Sequence, residues 1–256
     1  PKDARLGVDV AGVVEAVGGN VTQFRPGDEV FGSCNGAFAE YACATEESLV
    51  PKPVGVPFEQ AAAVVTAGLT ALQGLRDRGR VQPAQKVLIN GAAGGVGTLA
   101  VQIAKWLGAH VIGVCSTRNV DMVRSIGADR VVDYTREDFA RSGERYDVIL
   151  DMIGNRSLSD CRRALTPRGT YALVGGNLGR MPKALLLSPF VRQKLTVVLA
   201  KSTKEDLTIL RELLEAGTVT PIIDRRYPLH DVPEAIRYLE EGHARGKVVI
   251  TMESSA

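Results

Sequence analysis

Several things are scarce in this chain. Aromatic residues make up 5% of its 256 positions, and there is a single tryptophan. No apolar run approaches the ~20 residues needed to span a bilayer. No block of Lys or Arg occurs and the formal charge is +2, so there is no electrostatic footprint for nucleic acid or an anionic membrane, and neither is expected as a partner. Cysteine is limited to Cys34, Cys43, Cys115 and Cys161, irregularly spaced and without a CxxC pair, which argues against a disulfide framework and favours small buried hydrophobes. The first residues, Pro1-Lys2-Asp3-Ala4-Arg5, lead into no signal-peptide core. The expectation is a cytoplasmic protein.

What is present is a globular composition, 45% hydrophobic and 23% charged, with 27 glycines. That glycine content exceeds the typical ~7% and suits a cofactor-binding α/β protein. From residue 86 onward short apolar runs alternate with stretches of helical period, the pattern of βαβ units. Six strands are predicted at Lys86–Asn90, His110–Cys115, Val131–Asp133, Tyr146–Asp151, Thr170–Val174 and Leu195–Ala200. Leu99, Ile103, Trp106 and Leu107 share one helical face before a stop at Gly108; Val120, Val123 and Ile126 do the same before Gly127. Leu158, Cys161 and Leu165 repeat the spacing ahead of the turn Thr166-Pro167-Arg168-Gly169. The fold class is therefore α/β, a six-stranded doubly wound parallel sheet of the Rossmann type.

The flanks differ. Residues 6–50 carry Val/Ala/Gly-rich runs broken by Pro26-Gly27-Asp28 and Asn35-Gly36, which predicts a β-rich unit. Ser202-Thr203-Lys204-Glu205 matches a capping box opening a helix with Leu207, Leu210, Leu213 and Leu214 on one face. Asp231-Val232-Pro233-Glu234 opens another, and Lys247–Met252 is a final strand. The expected division is a β-rich region over 1–70, a dinucleotide-binding region over 71–216, and a return to the first over 217–256. The chain starts without Met and is strand-like by residue 6, so a preceding N-terminal piece is expected.

The most informative stretch is Lys86-Val87-Leu88-Ile89-Asn90-Gly91-Ala92-Ala93-Gly94-Gly95-Val96-Gly97, a strand running into a glycine turn and then an amphipathic helix. In that context glycines let the backbone approach a pyrophosphate, whose charge meets the N–H groups of the helix start. An NAD-specific site places an acid at the end of the second strand, some 20 residues on. Here the chain reads Cys115-Ser116-Thr117-Arg118-Asn119, and two hydroxyls with a guanidinium suit a 2′-phosphate. NADPH is favoured over NADH. The alternative is that Ser116 and Thr117 only cap the following helix. His110, His230 and His243 read as solvated or loop-bonding residues.

These pieces, with Leu6-Gly7-Val8-Asp9-Val10-Ala11-Gly12-Val13-Val14, Pro26-Gly27-Asp28-Glu29-Val30-Phe31-Gly32, Thr66-Ala67-Gly68-Leu69-Thr70-Ala71-Leu72 and Gly242-His243-Ala244-Arg245-Gly246-Lys247, make the sequence resemble the medium-chain dehydrogenase/reductase superfamily. Within it, the resemblance is to the zinc-free quinone oxidoreductase-like branch, including reticulon-interacting and bacterial alcohol-dehydrogenase-like members. It implies a GroES-like β-rich catalytic domain from both chain ends, a cleft site against the Rossmann domain, and a homodimer or homotetramer. By the same resemblance Gly94, Gly95, Val96 and Gly97 hold the pyrophosphate, and Ser116, Thr117, Arg118 and Tyr134 surround the 2′-phosphate. Thr70 and Gly175 lie near the nicotinamide, Gly154 near the adenine-side ribose, and Arg245 with Lys247 close to the cofactor.

Zinc members of the superfamily use a His in Gly-His-Glu and a Cys or acid ahead of the glycine-rich domain. Val8 and Thr66 stand at those positions here, and neither is a usual Zn²⁺ ligand, so no metal is expected. The expected function is NADPH-dependent reduction of a small molecule, a quinone or an α,β-unsaturated carbonyl, with no catalytic residue assigned. The alternatives are a non-catalytic, regulatory NADPH binder and an alcohol dehydrogenase. The apolar run Leu185–Phe190 is expected to line the substrate cleft or a dimer contact.

Overall fold

The computed structural model describes residues 6–175 and 192–252; the run Leu185–Phe190 lies outside the described residues. The chain forms two compact units, residues 70–200 and residues 1–69 with 201–256.

In the first of these, six parallel strands form one sheet: β4 (Lys86–Asn90), β5 (His110–Cys115), β6 (Arg130–Asp133), β7 (Tyr146–Asp151), β8 (Leu165–Val174) and β9 (Lys194–Val198). Their spatial order is β6-β5-β4-β7-β8-β9, the doubly wound arrangement expected from the alternation of elements. The strands are near-continuous apolar runs because both faces are covered; Leu88, Ile112, Ile149 and Leu173 are buried. Helices α2 (Gly95–Trp106), α3 (Val120–Ser125) and α4 (Leu158–Ala164) supply crossovers. At Gly113 a Cβ would fall 2.5 Å from Val123 of α3, so only glycine lets that helix seat on β5.

One local feature departs from expectation. Leu165, placed by periodicity on a helix, instead begins β8 and pairs with Tyr146. Pro167 two residues later cannot continue a helix, and its neighbour is biased to extended backbone. Helix α1 (Phe58–Gln73) runs on into a π-helical turn over Gly74–Gly79, closed by Arg80 in the left-handed region. The turn packs tightly, for a Cβ at Gly74 would sit 2.9 Å from Leu150.

The second unit contains an antiparallel sheet of β1 (Asp9–Val13), β2 (Glu29–Ser33) and β3 (Leu49–Pro51), and a parallel pair β10 (Ile223–Pro228) and β11 (Lys247–Thr251). Helix α5 (Lys204–Glu215) belongs here, whereas the expected division grouped it with the dinucleotide-binding region. The reason is packing: α5 lies against β3, Leu210 fills the space a Cβ at Gly68 would need, and Lys204 Nζ bonds Gln23 and sits 5.8 Å from the Phe24 ring. The capping residue is Thr203, whose hydroxyl accepts from Asp206 N, one position later than the sequence pattern indicated. Helix α6 (Val232–Glu240) follows Asp231 with Pro233 in its first turn. Among the described residues no helix is long and apolar enough to cross a membrane.

Candidate functional site: a glycine turn at the switch point of a parallel sheet

Strand order reverses between β4 and β7, and in open α/β sheets the crevice beyond the carboxyl ends at that point is where ligands bind. The segments that leave β4 and β7 there are the glycine turn and Met152–Gly154.

The turn is held from both sides. The N–H groups of Gly91 and Ala92 donate to Val114 O of β5 at 3.2 and 3.0 Å, and Gly91 has a φ of +93°. A Cβ on Gly97 would overlap the Gly91 carbonyl oxygen and fall 2.8 Å from the Ala92 carbonyl carbon. Gly97 is thus required for the helix to start this close to the strand. Gly94 differs, since its nearest neighbour would be 3.5 Å from a Cβ, an ordinary contact. It is the N-cap of α2 and brings no side-chain cap. The N–H groups of Gly95, Val96 and Gly97 lie in the first turn, where no intrahelical acceptor exists. A positive dipole end, open N–H groups and an absent side chain at position 94 fit a pyrophosphate.

Beside the turn, β7 ends in Asp151, a fully buried residue. Its Oδ1 accepts from Asn90 Nδ2 at 2.8 Å, Ile153 N at 3.0 Å and Gly154 N at 2.8 Å, and Oδ2 accepts from Tyr171 OH at 2.9 Å. The network fixes Gly154, at a φ of +64°, next to the glycine turn. Asp151, Asn90 and Tyr171 were not singled out from sequence, and an acid closing an apolar strand was the one available signal.

At the end of β5 the expected group comes together. Tyr134 N donates to Cys115 O at 3.0 Å, and Tyr134 is 54% exposed, so Ser116, Thr117, Arg118 and Tyr134 share one corner. Ser116 Oγ accepts from Asn119 Nδ2 at 3.3 Å, and Arg118 is exposed. The corner also holds an acid that sequence reading did not connect with it, because Asp133 of β6 stands opposite Cys115. Thr117 Oγ1 lies 2.6 Å from Asp133 Oδ2, and Thr135 reaches Oδ1 through its hydroxyl at 2.8 Å and its N–H at 3.0 Å. The Thr117 hydroxyl above all, then Thr135, keeps the Asp133 carboxyl below its ordinary range despite burial. Burial, helped by the Asp133 charge, pushes the Cys115 thiol up to about 11, so it is not a reactive cysteine.

Of the other expected residues, Gly175 directly follows β8 with a φ of +56° and Thr70 is buried in α1. Arg245 and Lys247 belong to the other unit. There, Arg245 N donates to Asp224 Oδ2 at 2.9 Å, and Lys247 Nζ lies 3.8 Å from Asp9 Oδ2. The positions at which zinc members carry ligands are in the same unit: Val8 is 53% exposed, and Thr66 donates both its N–H, at 3.1 Å, and its hydroxyl to Asp9 Oδ1. Among the described residues no group of three or more His, Cys, Asp or Glu is placed to hold a metal ion.

Fold and turn together define a nucleotide-binding α/β protein, and the comparisons narrow the class. A family model described as alcohol dehydrogenase GroES-like domain matches residues 1–54, and one described as zinc-binding dehydrogenase matches residues 126–250. The chain is 34% identical to the chloroplast envelope quinone oxidoreductase homolog of Arabidopsis thaliana, over 94% of this chain and 78% of that protein. It is 33% identical to the mitochondrial NAD(P)H oxidoreductase RTN4IP1 of Mus musculus, over 96% and 70%. To the chloroplastic NADPH-dependent alkenal/one oxidoreductase of Arabidopsis thaliana it is 34% identical, over 95% and 63%. The solved quinone oxidoreductase of Coxiella burnetii superposes with a TM-score of 0.88 at 31% identity, over 97% of this chain and 79% of that one. The chain belongs to the medium-chain dehydrogenase/reductase superfamily, in its quinone oxidoreductase-like branch.

Proposed function

We propose that this protein is an NADPH-dependent reductase that transfers hydride, without a metal, to a quinone or an α,β-unsaturated carbonyl. The observation that carries the reading is the glycine turn at the switch point, with Ser116 and Arg118 at the adjoining strand end where an NAD-specific site would carry an acid. The names of the relatives, quinone and alkenal/one oxidoreductases, support the acceptor class. When bound, NADPH supplies a hydride from C4 of its nicotinamide.

The chain's own contribution is position and charge. The N–H groups of Gly95, Val96 and Gly97, with Gly94 leaving room, meet the pyrophosphate; Ser116, Thr117, Arg118 and Tyr134 surround the adenosine ribose; Gly154, held by Asp151, backs the turn. Thr70, Gly175, Arg245 and Lys247 complete the proposed set of cofactor-binding residues. Val8 and the committed hydroxyl of Thr66 support the metal-free reading. Few and irregularly spaced cysteines, without a CxxC pair, support a reducing compartment such as the cytoplasm, and the resemblance supports a homodimer or homotetramer.

The test is a pair of titrations, NADPH against NADH, followed by turnover of each cofactor with a simple quinone and a simple enal, with and without chelator. Tighter NADPH binding and chelator-insensitive loss of NADPH absorbance are expected. Binding without turnover would instead indicate a binding module, and a rate abolished by chelator would indicate metal-dependent chemistry.

A further inference from the structure

Resting on the reading of the β5 end as the place of the adenosine ribose, we propose that Thr117 governs cofactor choice by masking the Asp133 carboxylate, and is not itself a ligand of the 2′-phosphate. A hydroxyl has one proton to donate. That of Thr117 points 2.6 Å from Asp133 Oδ2, the shorter of its two hydroxyl-group contacts, the other being Thr135 Oγ1 at 3.0 Å. A charge-assisted bond of that length outcompetes a neutral one, so the proton is already committed inside the protein. Asp133 Oδ1 is likewise occupied twice by Thr135. On Oδ2 the only other partner among the described residues is Arg136 Nε at 3.5 Å, on a side chain that is 76% exposed.

The consequence concerns an acid in an unusual place. The carboxylate that binds a ribose 2′-OH in NAD-specific folds stands at the end of the second strand; here a carboxylate stands one strand over, in register with Cys115. Its side chain is 12% exposed, and the exposed threonines 117 and 135 flank it. Oδ1 is filled by Thr135 and Thr117 takes one of the two lone pairs of Oδ2, so the carboxylate is left a weaker acceptor for a 2′-OH, and discrimination falls mainly to Ser116 and Arg118. Removing the Thr117 hydroxyl frees the second lone pair of Oδ2 and leaves its charge uncompensated by that bond, so a site favouring a 2′-phosphate becomes one that accepts more strongly from a 2′-OH.

Calorimetric titration with 2′,5′-ADP and 5′-AMP isolates this corner from the hydride chemistry. The wild-type protein should prefer 2′,5′-ADP. In Thr117→Val the affinity for 5′-AMP should rise on the order of ten-fold, the size of one hydrogen bond to a charged acceptor, and adding Asp133→Asn should abolish the gain. Asp133→Asn alone, which leaves the threonines in place, should tighten 2′,5′-ADP by removing a like charge and leave 5′-AMP unchanged. The idea is overturned if Thr117→Val weakens 2′,5′-ADP without helping 5′-AMP, the result for a direct phosphate ligand. It is equally overturned if Asp133→Asn weakens 5′-AMP, because the carboxylate would then already hold the ribose. Should the wild-type protein bind neither probe, the nucleotide reading of the corner fails along with the mask; a preserved 2′,5′-ADP preference with an unresponsive Thr117→Val removes the mask alone.

Discussion

At Asp151 four donors converge on one buried carboxylate, and none of them is a cation. Desolvating a charge is costly unless hydrogen bonds replace its water, and here two backbone N–H groups, an amide and a phenol do so. Asp151→Ala would take this acceptor from Ile153 N, Gly154 N and the Tyr171 hydroxyl, while Asn90 Nδ2 keeps Asn155 Oδ1 at 3.3 Å, and each buried bond lost costs about 1–3 kcal/mol. A total loss of roughly 3 kcal/mol in chemical denaturation is expected, relaxation absorbing part of the sum, against about 1 kcal/mol for Tyr171→Phe. A loss under about 0.5 kcal/mol for Asp151→Ala, the range of ordinary surface substitutions, would show that the network does not hold the switch-point loops. From sequence Asp151 was visible only as the last residue of a strand. Its role depends on Tyr171 and Asn90 on either side of it, and sequence spacing does not encode which strands become neighbours.

The strand–turn–helix element from β4 to α2 separates folding from binding at two glycines. At Gly97 an added Cβ overlaps the Gly91 carbonyl oxygen, so Gly97→Ala must push the turn off the helix and should cost about 1–3 kcal/mol, as overpacking does, with loss of NADPH binding. At Gly94 the backbone is extended, φ −83° and ψ 176°, and the nearest atom would be 3.5 Å from the new Cβ. Gly94→Ala should therefore keep stability close to wild type, apart from about 1 kcal/mol for the poorer N-cap, while a methyl group facing the pyrophosphate weakens binding. Thermal denaturation with and without NADPH reads both effects; equal binding losses without a stability difference would contradict the packing argument. This element was legible in sequence because turn chemistry, helix period and apolar run are all local. The shift of the α5 cap from Ser202 to Thr203 was not, since both residues can cap and the helix start is set by how α5 packs on β3.

For the molecule as a whole, acid stability follows from carboxyls held low. Asp77 is lowered chiefly by its hydrogen bond from Arg76, Asp133 by Thr117 and Asp160 by Ser157. At Asp129 burial opposes ionisation, but Lys105 and the Val111 N–H together prevail. A group whose folded pKa lies below the unfolded value of ~3.9 contributes stability that is complete above that value and is lost as pH falls through the folded pKa. The melting temperature should stay level on the acid side down to about pH 5 and then decline steadily toward pH 3. A melting temperature unchanged across that span would show that these pairings do not survive in solution.

By itself the sequence determined the order of elements, the glycine turn and its helix, and the side chains at positions 8 and 66, because periodicity, turn chemistry and residue identity act within a few positions along the chain. Only the tertiary structure decided that Leu165 opens a strand through its pairing with Tyr146, that α5 leaves the parallel-sheet unit, and that the Thr117 hydroxyl meets the Asp133 carboxylate. These outcomes depend on strand order and register. Residues 16 positions apart, as Thr117 and Asp133 are, meet only after β5 and β6 align, and the free energy that aligns them comes from burying the whole sheet and not from the two residues themselves.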